Sequence, residues 1–380
     1  MKLEKSKRSK WQEKVYVKHE GDIRSALDGL ARFGRILVAV DQKGSYGRLL
    51  VATAKSAGLD VGFLTPSDFH AFSKGYTEVK SDAKDACIIA DVAMRLTGRL
   101  HPVDGLEESL EALRAMTVLR AALVRDSTQA KNRIRSLLVQ THPAFEAFLG
   151  KDALDSPFYL RMLERYGGPE GIRKAGKRGL GAFVSRQPYY KGKAAVLTGR
   201  IFDVLASQTV CLPGAGAREA AVSFLAAGLI SRRQDIARLE KEIGASYRRF
   251  PESAVLDSLP GVADVLGPVL LAEIGDIGQY RDAGHLAAYA GVAPSKRQSG
   301  KVLDGSKKKV KCNRRLRNAL CESARISVSC DEWSAWYYHK KRREGKEHKQ
   351  AVLALARHRT DIIYAMLKNG SLYEPKAMTH

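Results

Sequence analysis

No apolar run in this 380-residue sequence approaches the roughly eighteen residues that a membrane span needs. The opening stretch, Met1 to Lys14, is rich in Lys and Glu and has no apolar segment behind it, so it does not read as a secretory signal. The five cysteines, Cys87, Cys211, Cys312, Cys321 and Cys330, contain no Cys-x-x-Cys pair. That pattern argues against a zinc site and for reduced thiols. No internal repeat or low-complexity tract stands out. These absences exclude membrane, disulfide-stapled and repeat classes and leave a cytoplasmic protein of two or three domains, with no membrane partner.

Negative charge is also scarce. Asp and Glu number 41 against 64 Lys and Arg, a formal net charge of +23. Such an excess suits a polyanionic partner, of which nucleic acid is the common one. The excess is uneven: from Lys296 to Lys349 seventeen Lys and Arg face six Asp and Glu. The C-terminal third is therefore the expected nucleic-acid face, against the plainer reading of a merely soluble basic surface.

The hydrophobic pattern predicts α/β structure followed by α structure. Val15 and Val17 alternate with polar residues like a short strand. Ile23, Ala26, Leu27, Leu30 and Phe33 have helical spacing. Ile36 to Val40 reads as a buried strand ending at Asp41, Gln42 to Tyr46 as a turn, Gly47 to Ala57 as a helix and Leu59 to Leu64 as another strand. Strand–helix–strand order predicts a parallel sheet covered by helices. Apolar stripes predict long helices over 106–138 and about 218–248, which either pair as an antiparallel coiled-coil arm or pack in one core. Residues 150–215 are glycine-rich and predict short helices and loops. The organisation expected is 1–104, 105–250 as a helical linker region, and 251–380.

Four motifs can carry chemistry. Asp82 and Asp85 sit three apart at the start of a predicted helix, on one face. Two such carboxylates suit Mg²⁺, or they simply cap the helix dipole. Asp41, at a strand end facing the loops of a parallel sheet, adds a third oxygen donor where α/β sites form. Leu259-Pro-Gly261 through Asp276 is a helix–hairpin–helix pattern, whose Pro-Gly turn lets backbone N–H groups approach phosphate, or a plain helical hairpin. Ser299 precedes a glycine in a basic stretch containing Lys296, Arg297, Lys301, Lys307, Lys308, Lys309, Arg314 and Arg315. There it serves as a phosphate hydrogen-bonder or as a nucleophile.

Taken in order, Val-Ala-Val-Asp41, Lys-Ser-Asp82-Ala-Lys-Asp85-Ala, Leu-Pro-Gly261, Leu-Ala-Ala-Tyr-Ala-Gly-Val-Ala-Pro294 and Gln-Ser299-Gly resemble the DEDD transposases of the insertion-sequence one-ten (IS110) group, relatives of the pilin-gene invertases. The segment Glu344 to Arg357 also looks like the C-terminal helix of that group. The resemblance implies a ribonuclease-H-like N-terminal domain and a mainly helical C-terminal transposase domain. It implies DNA cutting and rejoining through a covalent serine–DNA link, with Mg²⁺ held by four acidic residues. A structured guide RNA and a homo-oligomer are implied with it. Carried over, Asp41 takes the second acidic position, Asp82 and Asp85 the third and fourth, and Ser299 the nucleophile. The second position is usually Glu. The first has no match: Glu13, Glu20 and Asp22 are the nearest carboxylates and none ends an apolar strand, so the N-terminal domain is expected to lack its opening strand. A catalytically inactive nucleic-acid-binding remnant is the alternative expectation.

Overall fold

The structure is a computed structural model and describes residues 19–41, 47–64, 66–73, 82–96, 98, 100–102, 105–262, 264–293, 297–299, 302–304 and 312–375. The expected Val15–Val17 strand, the turn over 42–46, and Lys296, Lys301, Lys307, Lys308 and Lys309 lie outside these residues. The chain divides into two compact units, Met1–Glu108 and Ser109–His380.

In the first unit, helix α1 (Glu20–Ala31) leads to strand β1 (Leu37–Val40), helix α2 (Arg48–Ser56) and strand β2 (Asp60–Phe63). Helices α3 (Pro66–Ser73) and α4 (Asp82–Arg95) then lead to a two-residue strand, β3 (His101–Pro102). β1 and β2 are parallel, with Val38 beside Val61 and Val40 beside Phe63. β3 joins the far side of β2 antiparallel. Two helices rather than one separate β2 from β3, and the chain returns in the opposite sense. The period of two along β1 divides its side chains between two apolar layers. Val38 and Val40 join Ile23, Leu27, Ala54 and Val61, whereas Ala39 packs with Leu64, Ile88, Ile89 and Val92 of α4. Helices thus cover both faces, as the continuous apolar run predicts.

The second unit is almost wholly helical among its described residues. The long helix α5 (Gly105–Val139) is followed by α6 (Pro143–Leu149), α7 (Pro157–Tyr166), α8 (Pro169–Ser185), α9 (Ala194–Ala206) and the long α10 (Ala215–Tyr247). Then come α11 (Glu252–Asp257), α12 (Leu266–Ile274), α13 (Ala283–Ala290), the hairpin β4 (Arg297–Ser299) and β5 (Val302–Asp304), α14 (Arg314–Ser327), α15 (Glu332–Arg343) and α16 (His348–Asn369). α5 and α10 run antiparallel within one chain and share out their apolar faces. Leu110 and Leu113 join Leu239, Ile243 and Tyr247 in one core with α11–α16, while Ala130, Ile134 and Leu138 join Val222, Ala226 and Leu229 in another with α6–α9. Arg120 of α5 bonds Glu240 of α10 at 2.8 Å between the two cores.

The glycine-rich stretch 150–215 forms short helices, as expected, and these pack into one core. Its glycines permit close approach. At Gly167, φ is +72° and a Cβ would lie 2.6 Å from the Glu219 carbonyl oxygen. The Glu219 carboxylate, reaching over from α10, accepts the N–H groups of Glu170 (2.8 Å) and Gly171 (3.0 Å) at the start of α8. It fills an anion site of the kind helix N-termini offer, though burial raises its pKa.

Candidate catalytic and nucleic-acid-binding sites

In the first unit, Asp41 directly follows β1, and Asp82 and Asp85 open α4. Because Ile88, Ile89 and Val92 of α4 share an apolar layer with Ala39 of β1, the elements carrying the three carboxylates are packed together. Asp41 and Asp85 are half-buried, and neither forms an ion pair with a described residue. Of Asp82 only the backbone is described. Among the described residues, no group of three His, Cys, Asp or Glu side chains is placed to hold a metal. The donor chemistry is nevertheless oxygen-only, the kind that suits Mg²⁺ or Mn²⁺ rather than Zn²⁺. Of the other acidic candidates, Glu20 pairs with Arg24 at 2.8 Å, Asp22 is exposed in the first turn of α1, and Glu13 lies outside the described residues.

In the second unit, β4 and β5 pair Arg297 with Asp304, Gln298 with Leu303, and Ser299 with Val302. Ser299 is therefore the last residue of β4, paired with Val302, the first residue of β5. The ends of this excursion are tied together below it. Asn313 donates its backbone N–H to the Tyr289 carbonyl at 2.9 Å, and its side chain caps α14 by accepting from the Leu316 N–H at 3.0 Å. The same side chain donates to Glu273 at 2.7 Å. Glu273, only 4% exposed, also accepts from Arg315 Nε at 2.6 Å and from Arg114 at 3.3 Å. Arg315 reaches on to Thr117 Oγ1 at 3.0 Å. A buried carboxylate with this many donors is a junction of α5, α12 and α14. Arg315, expected on the nucleic-acid face, is turned into this junction, while Arg314 beside it is exposed.

Gly261 sits in the Leu-Pro-Gly turn with φ of +79°, and a Cβ there would lie 2.6 Å from the Ser323 carbonyl oxygen and 2.8 Å from the Ser327 nitrogen. The close approach that requires glycine is thus to α14. The turn is held from below by Arg359, 1% exposed, which donates to the Pro260 carbonyl at 2.5 Å and to Ser323 Oγ at 2.8 Å. Burial pulls the Arg359 pKa down to about 10. Gly261→Ala is expected to lower stability by about 2 kcal/mol, since it adds both left-handed strain and a backbone clash. A denaturation midpoint equal to the parent's would show that the glycine serves something other than this packing.

Glu273, Arg114, Asn313 and Arg359 were not singled out from sequence. For Glu273 a signal existed: it is the one charged residue in the otherwise apolar helix Leu266–Ile274. The partners come from segments far apart in the chain and carried none.

Two family models match parts of the chain. Residues 4–143 match the DEDD model of the IS110 type, described as a transposase, and residues 253–339 match the model described as Transposase IS116/IS110/IS902 family. The chain is 38% identical over 359 residues to the insertion element IS110 uncharacterized 43.6 kDa protein of Streptomyces coelicolor, covering 94% of this chain and 88% of that one. It is 33% identical over 338 residues to the insertion element IS116 uncharacterized 44.8 kDa protein of Streptomyces clavuligerus, covering 89% and 84%. A pilin gene-inverting protein of Moraxella bovis is 32% identical over 148 residues, 37% of this chain and 46% of that one. The class is therefore that of insertion-sequence transposases. Within it, the chain belongs to the IS116/IS110/IS902 family. No described helix is long and apolar enough to cross a membrane.

Proposed function

We propose that the chain is a cytoplasmic DNA recombinase that cuts and rejoins strands during transposition of an insertion sequence. It would use residues 1–104 as a ribonuclease-H-like carboxylate domain, 105–250 as a helical linker region and 251–380 as the serine-bearing domain. The observation that carries this reading is Ser299 at the end of β4, paired with the first residue of β5, in a chain whose family relatives include a gene-inverting protein. The Ser299 hydroxyl attacks a backbone phosphorus: an O–P bond to serine forms and the P–O bond to the adjacent deoxyribose breaks. The serine proton is lost, the departing oxygen is protonated to a hydroxyl, and attack by a new hydroxyl reverses the step. Asp41, Asp82 and Asp85 are the residues that would hold Mg²⁺, which when bound supplies charge to the phosphoryl oxygens. The exposed Arg314, with Lys296, Arg297, Lys301, Lys307, Lys308 and Lys309, would hold phosphates, and the Gly261 hairpin would meet them through backbone N–H groups. A structured guide RNA and pairing of two or more copies of the chain belong to the same reading.

The deciding experiment is to trap a detergent-resistant protein–DNA adduct with element-end DNA, Mg²⁺ and RNA transcribed from the element. An adduct supports the recombinase. Its absence, with DNA binding retained, favours an inactive nucleic-acid-binding remnant, the reading that the unmatched first acidic position supports. Asp85→Asn is expected to reduce adduct formation by about a hundredfold without weakening DNA binding; an unchanged yield would remove Asp85 from the site.

Affinity for duplex DNA is expected to fall steeply with salt. Six or more phosphate contacts give a log–log slope of about −5 or steeper, and neutralising Lys307, Lys308 and Lys309 together flattens it. A slope near about −1 would mean that the positive charge is only a solvated surface.

A further inference from the structure

Helix α15 has the sequence Glu-Trp-Ser-Ala-Trp-Tyr-Tyr-His-Lys-Lys-Arg-Arg. Part of its aromatic content is structural. Trp333 stacks on His358 of α16 with ring centroids 4.4 Å apart, and Tyr337 stacks on Trp333 at 5.1 Å. That stack fixes one face of α15 to α16. The helical period puts Trp336, His339, Lys340 and Arg343 together on another face, and all four are exposed, Trp336 at 40%. Lys340 Nζ lies 5.0 Å from the centre of the Trp336 ring. Lys341 and Lys346 are drawn to Glu344, at 2.8 and 3.8 Å, but neither Lys340 nor Arg343 forms an ion pair with a described residue.

Cations in a last helical turn complement the helix dipole, yet that effect asks for no tryptophan in the same stripe. A membrane-surface helix separates its apolar face from its cations; here ring and cations share one face. A protein-docking tryptophan would sit in an apolar patch; Trp336 has one ring neighbour, Trp333 at 6.4 Å, which the stack on α16 already engages, and its other stripe neighbours are Glu332, His339, Lys340 and Arg343, one carboxylate among cations and an imidazole. Nucleic acid with unpaired bases fits all of this: a base stacks on the ring, and the phosphates flanking it meet the cations. We infer that the Trp336–His339–Lys340–Arg343 stripe of α15 is a binding site for unpaired nucleotides. The inference rests on the reading that the partner of this chain is nucleic acid, but not on the role of Ser299.

The test uses the full chain and measures fluorescence anisotropy with labelled oligothymidylate, oligouridylate and a mixed-sequence duplex, each of about sixteen nucleotides per strand. Trp336→Ala is expected to weaken single-strand binding roughly tenfold and to leave duplex binding nearly unchanged, because duplex bases are already stacked. Trp336→Phe, which keeps an aromatic face, is expected to retain most of the affinity, and Trp336→Leu, which keeps only bulk, is not. A preference for oligouridylate or oligothymidylate assigns the strand to RNA or DNA. The inference is overturned if Trp336→Ala binds single strands as the parent does, or loses duplex affinity equally. It is also overturned if the Trp emission responds to phosphatidylserine vesicles and not to oligonucleotides. A parent chain that binds neither single strands nor duplex overturns the nucleic-acid reading itself, a result distinct from a fault confined to α15.

Discussion

Ser299→Ala is expected to lower strand exchange by about a thousandfold or more, as removal of a covalent nucleophile does elsewhere. Affinity for duplex DNA is expected to stay close to the parent's. The substitution removes one oxygen at the last paired position of a short hairpin. Alanine adopts the same extended backbone there, so the ladder to Val302 is kept. On the proposed reading, phosphate affinity would be spread over the many cations of this basic segment, while bond formation to phosphorus would depend on one atom. Recombination of a marked element and the yield of detergent-resistant adduct should fall together in the variant, with an unchanged melting temperature. An alanine variant that recombines at near the parental rate would remove Ser299 from the chemistry.

The second large effect concerns stability. Glu273→Ala is expected to destabilise the second unit by about 3–5 kcal/mol, the range for breaking a buried ion pair from one side. Arg114, Arg315 and Asn313 all lose an acceptor at once. Water reaches the arginines in part, since they are 39% and 32% exposed, but the vacated site itself is buried. Glu273→Gln keeps the shape and one oxygen while turning an amide toward the donors, and should fall between parent and alanine. Urea unfolding followed through Trp333 and Trp336 reads this unit once Trp11, of the first unit, is replaced by Phe in parent and variants alike. A loss below about 1 kcal/mol would mean that the arginines find other partners or water.

Local periodicity made the elements legible. The β1 and β2 strands, the helix at Asp82 and both long helices stand within a few residues of where apolar spacing puts them, because each pattern is completed inside one segment. Ser299 stands out in the sequence by its basic setting before a glycine, but its pairing with Val302 could not be read there, because it depends on which residues of β4 and β5 meet. Side-chain partnerships were not legible. Arg315 read as one more surface cation because its acceptor, Glu273, lies on another helix and its second partner, Thr117, at the other end of the unit. At Gly261 the sequence marks the need for a missing Cβ without saying that α14 is a neighbour that imposes it. Residues 150–215 read as short helices and loops, and the helices are there, but their packing into one core was not legible because glycine at a helix end or a tight crossing looks, in sequence, like glycine in a turn.

The two cores of the second unit are nested along the chain. One draws its residues from Ala130 to Leu229 and lies inside the other, which draws on Leu110 through Leu367. During synthesis the inner core has all its members once α10 has left the ribosome. The outer one waits for α16, so Leu110, Leu113, Leu239 and Ile243 stay uncovered while the last third of the protein is made. Assembly is therefore expected to run from the inside outward. A chain that stalls after Arg248 would fold around Ile134, Phe145 and Leu163 yet present a greasy seam at the opposite ends of α5 and α10, a ready substrate for chaperones.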